Sequence, residues 1–160
     1  MNTATASLSV ESPGKIVLPA LVGGCAAATL DAISAFATFG VGMPKAIASG
    51  LLGASALQGG GGAWALGLAL HFFILIAAGL LYGIATWRWA FLRTNFVLSG
   101  IYYGISIYLF MNLVVLPLSA IPFPVGPFKV SSLLKGLIAH VVLVGLPIAA
   151  SFRFIGKQSG

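Results

Sequence analysis

Acidic side chains are almost missing from this chain, whose 160 residues include only Glu11 and Asp31 as acids. Charged residues make up 6% of the sequence, whereas apolar residues make up 59%. A soluble domain has about 25% charged residues, so a chain this poor in charge would aggregate in water. The composition therefore predicts a protein whose solvent is a lipid bilayer. Two isolated acids also exclude catalysis by paired carboxylates.

Cysteine is nearly absent too, because Cys25 is the only one in the sequence. A single cysteine excludes an internal disulfide and any CxxC metal site. Cys25 lies within an apolar run, and we expect it to be a small buried hydrophobe. Nucleophile-elbow, P-loop and HExxH motifs do not occur, and no Lys-Ser or Lys-Thr pair follows the glycine run 59–62. The sequence therefore does not predict an enzyme.

Basic residues are present, with eight lysines and arginines and a formal net charge of +6. They occur singly near the ends of apolar runs, without the clustered basic and aromatic residues of a nucleic-acid surface. Single basic residues at these places set membrane topology and attract anionic lipid headgroups. We therefore expect the lipid bilayer, and not nucleic acid, as the partner.

Long apolar runs dominate the chain, and each approaches the ~20 residues that a helix needs to cross a bilayer. They predict an all-α membrane protein, a four-transmembrane-helix bundle in residues 16–153 with a mobile N-terminal tail (1–15) and a C-terminal tail (154–160). The predicted spans cover about 16–39, 63–86, 96–118 and 131–152. Residues 44–58 are weaker and too short to cross, which predicts a short interfacial or re-entrant helix between spans 1 and 2.

Basic residues are unevenly divided between the two ends of the predicted bundle. Five lie on the side of the termini and three on the other: Lys15, Arg88, Arg93, Arg153 and Lys157 against Lys45, Lys129 and Lys135. Cytoplasmic loops carry the excess of Lys and Arg. The count therefore favours cytoplasmic N- and C-termini.

Pairs of small residues four positions apart predict where the spans approach one another, because close van der Waals contact drives helix association in lipid. Each of the first three spans has such a pair: Gly23 and Ala27, Gly79 and Gly83, Gly100 and Gly104. The third pair could equally support a homodimer.

Four polar side chains, Asp31, His71, Asn112 and His140, lie inside four different apolar runs. From the predicted span ends, their depths agree at roughly 9 to 14 Å for a rise of ~1.5 Å per residue. An Asp at a helix centre costs about 2.5 to 3.5 kcal/mol to insert, so Asp31 should face the bundle and find a partner, or remain protonated. His71 and His140 are its natural partners, and Asn112 could bond to both histidines. Lys135, about one turn above His140, would add a charge at the outer mouth or snorkel to the headgroups.

Three functions are compatible with such a layer. It could be a hydrogen-bonded cluster that fixes helix register in a structural or accessory subunit. It could support proton- or ion-linked transport or a pH response, since Asp and His are typical relay components. It could also bind a divalent metal through His71, His140 and Asp31, or haem through the two histidines, as in an electron carrier. No cofactor is expected on the first two readings, and a homo-oligomer or larger membrane complex stays open.

Three stretches around these residues, GLALHF (67–72), MNLVVLPLS (111–119) and GLPIA (145–149), resemble small multi-pass bacterial inner-membrane proteins, and YagU-like proteins in particular. The similarity covers most of the chain from Val22 onward. It implies a multi-pass protein of the bacterial inner (cell) membrane, in a group linked to acid resistance. It implies no catalytic residues.

Overall fold

The computed structural model describes residues 14–124 and 129–156, and nearly all of these residues are helical. No strand occurs in those two ranges. Most of the predicted N-terminal tail (1–13) and the end of the C-terminal tail (157–160) lie outside the described residues. The helices are α1 (Gly14–Phe39), α2 (Met43–Leu52), α3 (Ser55–Gln58), α4 (Gly61–Arg88), α5 (Phe91–Thr94), α6 (Phe96–Phe110), α7 (Leu116–Leu118), α8 (Val130–Ala139) and α9 (Leu146–Phe154).

Four helical stretches are long and apolar enough to cross a membrane, which confirms that part of the prediction. Span 1 is α1, and the helical stretch continues through a 3-10 turn, Gly40–Gly42, into α2. Span 2 is α4, span 3 covers Phe96–Leu118 and span 4 covers Val130–Phe154. Large apolar side chains cover the outer surface of all four spans, among them Phe73, Leu113 and Ile138.

After span 1 the chain continues into the short helix α2, which packs along span 2. Gly40, at a φ of 70°, ends α1 in a conformation that favours glycine, and Pro44 lies in the first turn of α2. Gly67 of span 2 lies directly against the Pro44 carbonyl, where no larger residue would fit. The chain therefore turns back against span 2 as soon as span 1 ends.

Span 1 packs against spans 2 and 4, and span 4 packs against span 3. The buried face of span 1 is made of small residues, including Ala20, Ala27 and Ala28. Larger side chains fill the space between the other spans, and the ring of Tyr82 packs at a tilt against that of Phe152, with centroids 5.4 Å apart. The hydroxyl of Tyr103 donates to the carbonyl of Ala78 at 2.6 Å and so joins span 3 to span 2.

Close approach of the spans occurs where the small-residue pairs predicted it. A Cβ on Gly79 would lie 2.7 Å from the Ala20 carbonyl oxygen, and one on Gly104 would lie 2.5 Å from the Cα of Val141. Gly100 also lies close to span 4, where an added Cβ would be 3.0 Å from the Cα of Leu146. The structure thus uses the Gly100 and Gly104 face within one chain, whereas the sequence left a homodimer open.

The expectation for Cys25 was wrong, because its side chain is exposed on the outer face of span 1. The buried positions around it are Gly23, Gly24, Ala27 and Ala28. At 3.6 residues per turn these four form one face of the helix, and position 25 falls outside it. The inward face of span 1 is thus set by its smallest residues.

Candidate functional site

Asp31 and His71 meet at the contact between spans 1 and 2. The Oδ2 atom of Asp31 lies 3.9 Å from Nε2 of His71, and the two side chains are 18% and 7% exposed. Small neighbours make the meeting possible, because Ala28 and Ala32 on either side of Asp31 are buried and let span 2 approach. The sequence predicted that Asp31 would face the bundle and find a histidine, and the structure brings these two together.

The proton position on His71 follows from its hydrogen bond. Nε2 lies 3.0 Å from the carbonyl oxygen of Ala28, and a carbonyl only accepts, so Nε2–H is the donor. Ala28 and Asp31 are one turn apart on the same helix, so this N–H has a second acceptor 3.9 Å away in the Asp31 carboxylate. The distance to Asp31 exceeds a hydrogen bond. A small rotation of the imidazole would transfer the bond from the backbone to the carboxylate.

His140 joins the pair through a shared cavity of about 90 Å³, which Asp31, His71 and His140 all line. Apolar side chains form the rest of the wall, among them Leu75 and Val144. A single water needs roughly 10 to 15 Å³ of such volume and two to four polar partners. The cavity is therefore large enough for several waters between three titratable groups from three different spans.

The second histidine has the opposite proton arrangement. Nδ1 of His140 lies 2.9 Å from the carbonyl of Gly136 in the preceding turn, so Nδ1 is the donor and Nε2 is the acceptor in the neutral ring. The ring of Tyr108 on span 3 packs edge-on against the imidazole, with centroids 5.2 Å apart. Two histidines with opposite tautomers therefore border the cavity: Nε2 of His71 is a donor, and Nε2 of His140 is an acceptor.

Asn112 and Lys135 do not join this cavity. The amide Nδ2 of Asn112 donates to the carbonyl of Tyr108 at 2.8 Å, within its own span. Lys135 is exposed on the outer part of span 4. The four polar residues therefore separate into an Asp31–His71 pair and two residues that both contact Tyr108, His140 through the ring and Asn112 through the backbone carbonyl. Of these two, His140 lines the cavity.

Asn112 on span 3 and His140 on span 4 both lie in π segments, in which the helical turn is wider than in an α-helix. A first π segment, Met111–Val115, contains Asn112, and a second, His140–Gly145, begins at His140. Each precedes a Leu-Pro pair, Leu116-Pro117 and Leu146-Pro147. Proline donates no backbone hydrogen bond and crowds the carbonyl four residues before it, which favours a wider turn there. Such turns are frequent at functional sites.

A second, larger cavity of about 560 Å³ adjoins the first. It lies between α2, span 2, the end of span 3 and the segment that follows span 3. Three side chains, Ile47, Ile74 and Met111, line both cavities and separate them. Sequence reasoning missed these three and Tyr108. The signal for Tyr108 was its position four residues before Asn112, on the same face of a helix.

Metal binding gains no support from this geometry. In residues 14–124 and 129–156, no group of three or more His, Cys, Asp or Glu side chains is arranged to hold a metal ion.

No family model matches the chain, and neither a curated protein nor a solved structure matches it. The site must therefore be interpreted from its own residues.

Proposed function

We propose that this protein is a proton-linked membrane protein in which Asp31, His71 and His140 take up and release a proton inside the helix bundle, either to drive transport or to respond to pH. The observation that supports it best is the shared cavity: three titratable side chains from three spans border one volume of about 90 Å³. Ionisable groups within membrane spans are costly and usually serve a function.

The two states of His71 differ in the acceptor that they favour. A neutral imidazole donates to Ala28, as observed. A protonated imidazole carries a positive charge 3.9 Å from the Asp31 carboxylate, and at an effective dielectric constant of about 20 such a pair attracts by about 4 kcal/mol. Protonation would therefore turn the His71 ring from the Ala28 carbonyl towards the Asp31 carboxylate. This is a local change in structure tied to proton binding.

The surroundings that we propose are a bacterial inner membrane crossed by all four spans, with both termini in the cytoplasm. The apolar outer surface supports membrane insertion, and the distribution of basic residues supports the orientation. Ile47 of α2 lines the same cavity as Asp31 and His71, which favours a re-entrant α2 over one lying flat at the interface. The likeness to YagU-like proteins is compatible with this compartment.

A structural or accessory role is the second candidate, and the hydrogen bond of His71 to span 1 favours it. His71 ties span 2 to the backbone of span 1, whereas Asn112 and His140 bond within their own spans. Interhelical hydrogen bonds contribute only about 0.6 to 2 kcal/mol each in membranes. On this view the polar side chains fix helix register, and replacing them would change assembly with a larger partner but no proton movement.

Proton flux into reconstituted liposomes distinguishes the two candidates. A pH-sensitive dye inside the vesicles would report flux after an imposed pH step, for the unmodified protein and for Asp31→Asn and His71→Ala. We expect both variants to fall to the leak of empty vesicles. Asn112→Leu is the control, because Asn112 does not line the cavity. Equal flux in all four proteins, at equal incorporation, would rule out proton-linked transport through this site.

A further inference from the structure

We propose that the larger cavity binds the apolar body of a cationic amphiphile, a hydrophobic amine, whose ammonium group reaches Asp31 past Ile47, Ile74 and Met111. This names a substrate class for the proton-linked site and rests on that proposed function. The argument depends on the cavity's size, its lining, its connection to Asp31 and the sign of the charges around it.

The cavity has the size and surface of a ligand site. Its volume of about 560 Å³ falls within the roughly 300 to 1,000 Å³ typical of small-molecule pockets. Ser119 supplies the one polar side chain among its described lining residues, and its hydroxyl already donates to the carbonyl of Leu116 at 2.7 Å. An occupant must therefore be apolar along most of its length.

The connection to Asp31 runs through side chains that can move aside. Ile47, Ile74 and Met111 border both cavities, so an occupant of the larger cavity ends within one side-chain layer of the Asp31 cavity. Met111 is unbranched and flexible, and it belongs to the first π segment. A narrow polar head on a flexible stem could pass beside it while the body stays behind.

Charge complementarity selects the sign of that head. Asp31 is the one side chain lining either cavity that can carry a negative charge, and no lysine or arginine lines them among the described residues. While His140 is neutral, a positive His71 would already be neutralised by Asp31 at 3.9 Å, which leaves little attraction for an anion. An ammonium group could take the place of that imidazolium charge. Amine and proton would then compete for the same carboxylate, as an exchange carrier requires.

Three matched probes test the charge and the cavity separately: 4-phenylbutylamine, 4-phenylbutanol and 5-phenylpentanoate share the same phenyl ring and four methylenes and differ in the head. Calorimetric titration of the protein in lipid nanodiscs, with empty nanodiscs subtracted, would give their affinities. We expect the amine to bind about tenfold or more tightly than the alcohol, the effect of one charge-assisted hydrogen bond. The carboxylate should bind most weakly. Asp31→Asn should remove the amine's advantage and leave alcohol binding intact.

Cavity-filling variants test the location. Ala46→Phe places a ring in the larger cavity, and Gly50→Leu fills it from a position where an added Cβ would lie 3.6 Å from Ser119, an ordinary contact. Both should weaken all three probes, whereas Ala37→Phe, at an exposed position of span 1, should not. Carboxylate binding as tight as amine binding, or probe affinities unchanged by Ala46→Phe and Gly50→Leu, would overturn the inference.

The flux assay distinguishes a failure of this inference from a failure of the proposed function on which it rests. Proton flux that depends on Asp31, without selective amine binding, would leave the proton site standing and refute the amine. Selective amine binding without proton flux would support the binding site and refute proton-linked transport.

Discussion

The close contact between spans 3 and 4 at Gly145 predicts the cost of adding one methyl group, by the substitution Gly145→Ala. A Cβ at this position would overlap the carbonyl oxygen of Gly100 and lie 2.6 Å from the backbone nitrogen of Gly104. All of these neighbours are backbone atoms, so no side chain can rotate away. Spans 3 and 4 would have to separate along the contact that Gly100 and Gly104 form with span 4.

The size of the effect follows from that separation. A gap of about 0.5 to 1 Å forfeits a quarter to a half of the van der Waals attraction between facing atoms, and added volume at well-packed sites typically costs about 1 to 3 kcal/mol. Alanine gains up to ~1 kcal/mol over glycine in helix propensity, which offsets part of this cost. We therefore expect Gly145→Ala to lower the free energy of unfolding by about 1 to 2 kcal/mol.

Unfolding in mixed micelles, followed by circular dichroism during titration with a denaturing detergent, would measure the change. Gly62→Ala is the matched control, because an added Cβ there meets no atom within 4 Å. This control should be as stable as the unmodified protein or slightly more stable. If Gly145→Ala unfolded together with Gly62→Ala, the close contact between spans 3 and 4 would be wrong.

Two further predictions concern hydrogen bonds between spans, and the same unfolding assay measures both. Tyr103→Phe removes the bond to Ala78 and should cost about 0.6 to 1.7 kcal/mol, whereas Tyr102→Phe, at an exposed position, should cost nothing measurable. The hydroxyl of Ser151 shares its one proton between the Pro19 carbonyl of span 1 at 2.8 Å and the Ile148 carbonyl of its own span at 2.7 Å, so Ser151→Ala should cost no more than a similar amount. Ser106→Ala is its control, since the exposed Ser106 bonds only within its own span. A control as costly as its partner would contradict the interhelical assignment.

The spans and their contacts could be predicted from sequence because lipid imposes strong constraints on composition and length. Apolar runs of sufficient length gave the four helices to within a few residues, and small residues at four-residue spacing gave the contacts around Gly79 and Gly104. Which face of span 1 points inward was harder to predict from sequence, because Cys25 and its alanine neighbours are similarly apolar. Only packing against spans 2 and 4 decides which of them is buried.

The site was predicted in part for a related reason. The rarity of ionisable groups in apolar runs singled out Asp31, His71 and His140, but depth along a helix says nothing about rotation around it. On span 3, Met111 lines the cavity and the next residue, Asn112, does not. Proline at 117 and 147 was the visible signal for the π segments. The cavities depend on packing between distant elements such as α2 and span 3, which no local pattern encodes.

The π segments also predict where span 4 tolerates the deletion of a residue. A wide turn of this kind accommodates one more residue than an α-helix of the same register, so removing one residue from His140–Gly145 would return span 4 to regular α-helix while the parts on either side keep their facing. The same deletion in α9 would rotate every later side chain by about 100°, since an α-helix has 3.6 residues per turn. In a scan of single-residue deletions along span 4, surviving variants should therefore cluster within the π segment.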